Sequence, residues 1–215
     1  MRAQPVLGFR RKQAVLILMA TVAVLVVTVS ILAVAHYIGR STTPGVAAEL
    51  AHAPYSSQDT NGDTVYSALD GHHNQIYTVL SGEERPTQLT KDATNHIDPA
   101  YSPDGTNIAY AALDGAYQQI YSTPSGGGKP IQLTNDETYH EAPAYSPDGT
   151  NVAYAALDGA YQQIYSIPSG GGSPIQLTTD QTDHFAPSYS SDGTSVVYRA
   201  ADSSSDYQIY AMPLK

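Results

Sequence analysis

Histidine is the residue whose type and spacing bear most directly on chemistry in this sequence. His96, His140 and His184 recur at a fixed interval of 44 residues, and His52 stands three residues before Tyr55. Imidazoles at equivalent places around a symmetric ring would meet at one level, with Asp98 and Glu141 nearby. Such a set suits a divalent transition metal, Zn²⁺, Ni²⁺ or Mn²⁺. The plainer reading is that each ring packs beneath the proline of H-x-x-P or H-x-P and bonds a loop carbonyl, copied with the repeat that carries it. On that reading no cofactor is expected, and metal binding at His52, His96, His140 and His184 is the alternative.

Tyrosine is the second group, with 17 copies and no tryptophan. Tyr117 and Tyr161 follow Gly-Ala at a hairpin exit, Tyr139 lies in a loop beside His140, and Tyr207 is read as the counterpart of Tyr117 in the last copy. A tyrosine offers a large amphipathic surface at low entropic cost and is enriched in interfaces. These four are the expected contacts for a protein or peptide partner. Tyr66, Tyr110, Tyr154 and Tyr198 fall inside apolar runs and are expected in the core.

Other chemistries find little support. There is no G-x-S-x-G elbow and no cysteine, so nucleophilic catalysis lacks its residues. Gly126-Gly127-Gly128-Lys129 is followed by Pro130 where a phosphate loop needs Ser or Thr. Asp59-x-Asn61-x-Asp63 resembles the opening of a calcium loop, yet Thr64 stands where its glycine belongs. A formal charge of −10 argues against nucleic acid as a partner.

The elements that must position these residues follow from the repeat. Tyr101 to Thr134 returns almost unchanged from Tyr145 to Thr178, a shorter copy starts at Tyr189, and a diverged one starts at Tyr55. Asn107 to Leu113 is a β-branched and aromatic run between the turn dipeptides Asp104-Gly105 and Asp114-Gly115. Tyr117 to Ser122 and Pro130 to Thr134 supply further strands, and residues 141–145 open the next unit. Four short strands in 44 residues is the period of a β-propeller blade. The expected fold is therefore all-β, a propeller of about four four-stranded blades over residues 55–215, with copies starting near 55, 101, 145 and 189.

The phrase P-x-Y-S-P-D-G-T-x-x-A-Y, followed by D-G, Q-I-Y and G-G-x-P-x-Q-L-T, resembles the WD40-like PD40 repeat of the TolB propeller family. The resemblance runs from Tyr55 to the C-terminus, departing from the family in Tyr101, Tyr145 and Tyr189, where Trp is usual. It implies a non-catalytic scaffold binding a protein or peptide in the cell envelope. Some propellers of this type are lyases holding a metal on channel histidines, which implies the alternative of a metal-dependent carbohydrate-active or glycan-binding protein. A structural or adhesive array is the third reading.

The address comes from the N-terminus. Residues 14–38 are apolar enough, and long enough at 1.5 Å per residue, to span a bilayer. Arg2, Arg10, Arg11 and Lys12 precede them, which puts residues 1–13 in the cytoplasm and the propeller outside. A cleaved signal peptide ending near Ala33-Val34-Ala35 competes with this signal anchor. Residues 39–54 form a linker in which Val46 to Ala51 is the expected source of a ring-closing strand.

Overall fold

Every blade hairpin opens at a turn that closes on itself. Ser102 Oγ donates to Asp104 Oδ1 at 2.6 Å, the Thr106 N–H donates to the same oxygen at 3.1 Å, and the Asn107 N–H returns to Ser102 Oγ at 2.9 Å. Gly105 sits at φ +71°, which a Cβ would strain. The same knot recurs at Ser146–Asn151 and Ser190–Ser195. These bonds hold the Asp104 and Asp148 carboxyls below the usual range and take Asp192 down to about 2, the serine hydroxyl being the largest cause.

The structure, a computed structural model, describes residues 56–201 and 206–214, all within the unit Ala47–Lys215. The expected membrane span at 14–38 and the linker at 39–54 lie outside the described residues. Among the described residues no helix is long and apolar enough to cross a membrane.

Among the described residues, fifteen strands form four antiparallel sheets. The first holds β1 (Ser56–Gln58), β2 (Thr64–Leu69), β3 (Asn74–Val79) and β4 (Thr87–Gln88). The second holds β5 (His96–Tyr101), β6 (Asn107–Asp114), β7 (Tyr117–Pro124) and β8 (Ile131–Gln132). The third repeats it as β9 (His140–Tyr145), β10 (Asn151–Asp158), β11 (Tyr161–Pro168) and β12 (Ile175–Gln176). The fourth has three strands, β13 (His184–Tyr189), β14 (Ser195–Ala201) and β15 (Tyr207–Pro213). Each is an up-and-down meander, the topology of a propeller blade.

Alternation along a strand gives each sheet a leading face toward the preceding blade and a trailing face toward the next. Ala109, Ala111, Ile120 and Leu133 on the second sheet's trailing face meet Val152, Tyr154 and Ala156 of the third sheet. Val65 and Ile76 of the first sheet meet Ile108, Tyr110 and Ala112 of the second in the same way. The alanines let neighbouring sheets approach closely, and Ala109, Ala111, Ala153 and Ala155 are fully buried. Tyr145 Oη lies 2.9 Å from Ser122 Oγ, and Tyr189 Oη 2.9 Å from Ser166 Oγ, so each junction carries a hydrogen bond besides its apolar contact.

Consecutive sheets are linked by extensive packing, and none of that extent joins the fourth sheet to the first. The expected ring-closing strand, Val46 to Ala51, lies outside the described residues. The first copy also differs in register from the sequence reading. Gln58, opposite Thr64, takes the place that Tyr101 takes opposite Ile108.

Candidate functional site

The repeated histidines begin β5, β9 and β13 and lie in three separate sheets. His140 Nε2 is 2.8 Å from Asp136 Oδ1 and 2.8 Å from Thr138 Oγ1, while Thr138 Oγ1 donates to Asp136 at 2.6 Å. The ring stacks on Tyr154 with centroids 5.2 Å apart. His96 repeats this with Asp92, Thr94 and Tyr110, and His184 with Asp180, Thr182 and Tyr198. The motif is D-x-T-x-H, a clip that closes the loop between one sheet and the next.

A glutamine completes each clip. Gln119 Nε2 donates to the carbonyls of Asp136 and Thr138 at 2.8 and 3.1 Å, and Gln75 and Gln163 do the same for their loops. All three glutamines are essentially fully buried. The sequence reading missed this partnership, whose signal was the fixed spacing of Gln119, Asp136, Thr138 and His140 within each unit.

The expected convergence of histidines is therefore not how the described ones are arranged. Nε2 of His96, His140 and His184 is engaged by the clip that leads into its own strand, Nδ1 is buried without a protein partner, and all three residues are buried. Among the described residues no three His, Cys, Asp or Glu side chains gather as metal ligands. His52 lies outside the described residues. Burial pushes the His184 imidazole below its ordinary pKa, against the opposing pull of Asp180 and Asp183. At Asp92, Asp136 and Asp180 burial would raise the carboxyl pKa, but the threonine bonds and the histidine outweigh it and hold each below the usual range.

Asp59, Asn61 and Asp63 likewise form a closed turn. Asp59 Oδ1 accepts the N–H groups of Asn61 and Asp63 at 2.9 and 2.8 Å, and Asp63 Oδ1 accepts the Ser81 N–H at 2.6 Å. The carboxylates serve backbone donors, as in an Asx-turn.

The inner strands carry an unpredicted feature. Asp98, Ala142 and Ala186 have φ of 53°, 52° and 48°, each at a bulge in its strand's pairing with the next. Non-glycine residues seldom hold this conformation, and three copies of it mark a built bend. Burial, reinforced by Glu141, pushes the Asp98 carboxyl up to about 6 despite a bond from the Ala142 N–H.

The four tyrosines stand at one end of the sheets, where the hairpins joining the second and third strands meet the loops between blades. Tyr139, 46% exposed, packs edge-on against Tyr117 at 5.9 Å and 75°. Its counterparts are Asn95 and Asp183, whose side chains instead accept the Asn74 and Gln162 N–H groups at 2.8 Å. Tyr139 thus exchanges a backbone cap for an edge-on contact with the half-buried Tyr117, its own ring staying exposed. Tyr161 and Tyr207 are also exposed. Tyr207 pairs with Ala201 whereas Tyr117 pairs with Asp114, so it occupies the register of Gln118 rather than of Tyr117. It packs edge-on against Phe185 at 5.9 Å, with the Arg199 guanidinium 5.3 Å from its centroid.

A cavity of about 690 Å³ opens between the third and fourth sheets, lined by Ser166, Gln176, Leu177, Tyr189, Met212 and Leu214 among others. A smaller one of about 380 Å³ lies over the Asp92–Thr94–His96 clip.

No family model matches the sequence, and no curated protein does. Solved structures share the fold. A putative TolB from Agrobacterium tumefaciens is similar at 24% identity and TM-score 0.64, over 71% of this chain and 57% of that one. TolB from Acinetobacter baumannii is similar at 22% identity and TM-score 0.65, over 74% of this chain and 40% of that one. An oligogalacturonate lyase in complex with manganese aligns at 14% identity and TM-score 0.57, over 74% of this chain and 49% of that one. The chain thus spans roughly half the length of these neighbours, and its repeated sheets share their β-propeller fold.

Proposed function

We propose that the chain is a non-catalytic, membrane-anchored scaffold that holds a protein or peptide partner outside the cytoplasmic membrane, with residues 14–38 as the anchor. The observation that carries this reading is the Tyr117–Tyr139 pair, in which a half-buried tyrosine supports an exposed one where two other blades keep a backbone cap. Tyr161 and Tyr207 at the same end of the sheets extend it. The described histidines are by contrast engaged at Nε2 within the clips, and the scaffold reading calls for no cofactor.

A photo-reactive amino acid placed at 117, 139 or 161 tests the reading in intact cells. Discrete adducts from these positions, with none from position 148 at the other end of the sheets, are the expected result. Absence of adducts, or manganese-dependent cleavage of an acidic oligosaccharide by the purified chain, would overturn it in favour of the carbohydrate-active alternative.

A further inference from the structure

Asp98 stands immediately before Pro99, and this is the one Asp-Pro bond in the sequence. Ala142-Pro143 and Ala186-Pro187 occupy the same place in the next two sheets, with φ of 52° and 48° against 53° at Asp98. An alanine therefore serves the bend, and the carboxyl is additional to it. That carboxyl is also held unfavourably. Its Oδ1 is buried without a partner among the described residues, and burial, with Glu141 beside it, keeps the group protonated up to about 6.

The peptide bond that follows is strained and set apart from the ladder. A proline ring pushes the residue before it toward extended backbone, and a left-handed conformation there costs the chain further. Ile97 pairs with Ala111 and Ala100 with Ala109, so Asp98 and Pro99 stand in the bulge between paired positions. Pro99 has no N–H to give to the ladder. Among the strands packed against β5, β9 brings Glu141, the carboxylate that acts on Asp98. His96 and His140 are engaged in their clips, Asp114 is the last residue of β6, and β1, β2 and β3 carry no carboxylate, imidazole or amine.

We propose that the folded protein cleaves its own Asp98–Pro99 bond, with the Asp98 side chain as nucleophile. A carboxyl oxygen bonds to the Asp98 carbonyl carbon and closes a cyclic anhydride. The carboxyl proton passes to the Pro99 nitrogen, the C–N bond breaks, and Pro99 leaves as a secondary amine. Water then opens the anhydride, so that Asp98 ends the first fragment with its side-chain and terminal carboxyls and Pro99 begins the second. Nothing is oxidised or reduced, and water is the co-reactant. Cleavage releases the left-handed bend, while the cluster joining Val65 and Ile76 to Ile108 and Tyr110 keeps the two fragments associated. This activity goes beyond the scaffold reading and stands without it.

The test holds the full chain in detergent at pH 5 over days, with protease inhibitors present, and follows the products by mass spectrometry. A fragment beginning at Pro99 should accumulate at a rate independent of protein concentration. That rate should fall as pH rises through about 6, where Asp98 gives up the proton that the proline nitrogen needs. The same chain unfolded in urea should cleave at least about tenfold more slowly, because it lacks the strained bend. Asp98→Ala, a residue that the next two sheets already carry at this place, should leave the chain whole. No fragment beginning at Pro99, equal rates in the folded and the unfolded chain, or a cut that survives Asp98→Ala would each overturn the proposal.

Discussion

Asp98 Oδ2 accepts the Ala142 N–H at 3.3 Å, joining residues that occupy the same bulge in consecutive inner strands. Both hold a left-handed backbone, and Ala186 repeats it without a carboxyl. The fold therefore needs the bend at this position but not the acid.

Replacing Asp98 by alanine should stabilise the protein at neutral pH. Its folded pKa of about 6 lies above the ordinary 3.8, so the folded state holds the proton more tightly than the unfolded chain. The group's stabilising contribution is full below pH 3.8 and lost as pH rises through about 6. That shift corresponds to about 3 kcal/mol, reduced by about 1 kcal/mol for the Ala142 N–H that loses its acceptor. Urea unfolding should show Asp98→Ala more stable by about 1–2 kcal/mol at pH 7.5, with the gain gone at pH 4. An equal effect at both pH values would mean that the carboxyl is not the source.

His184 acts in the opposite sense. Burial depresses its pKa, so the folded state holds it neutral, and its contribution is present above the ordinary imidazole value and declines as pH falls below about 6.5. The neutral variant His184→Gln should be less stable than the parent at pH 7.5 through loss of the tilted ring contact with Tyr198 and the Asp180 contact. The difference should narrow by pH 5, where only the parent must keep an imidazole unprotonated against its preference. Parallel stability curves for the two proteins would contradict this.

Thr134 isolates the worth of the bond between its hydroxyl and the Ile120 N–H, which ties β8 to β7. Thr134→Val preserves shape but leaves the buried Ile120 N–H without an acceptor, at a cost of about 1–3 kcal/mol. Thr134→Ser keeps the oxygen and should recover most of it. If valine and serine behave alike in urea unfolding, the hydroxyl is not what holds β8 to β7.

Much of this architecture was legible in the sequence because turn chemistry is local. Asp104-Gly105 and Asp114-Gly115 bracket β6 in the sequence and in the fold, and the 44-residue interval places the other blades. The polar clips were hidden because Gln119 and His140, in different sheets, meet only through the Asp136–Thr138 loop that both of them bond. Tyr207 was misaligned for a simpler reason. The hairpin before it differs in length from Asp158-Gly159-Ala160, and a one-residue slip moves a side chain to the opposite face. Ile209 shows where local reading ends. It stands in the same Gln-Ile-Tyr words as Ile120 and Ile164, yet among the described residues no following sheet packs over it as the third sheet packs over Ile120.

Arg199 offers the sharpest contrast between blades, because Ala111 and Ala155 stand at its position in the two preceding sheets. Ala111→Arg would force a guanidinium between the second and third sheets at a fully buried site, where no carboxylate pairs with it. An uncompensated buried charge costs about 3–5 kcal/mol, enough to abolish the cooperative transition of a domain whose total stability is about 5–15 kcal/mol. Arg199→Ala should leave folding almost unchanged while removing a charge from a face that also exposes Ile209 and Tyr207. That face then resembles an internal blade junction, and light scattering should reveal association that the parent resists at equal concentration. A variant that stays dispersed would show that the arginine is not what keeps the fourth sheet from binding its like.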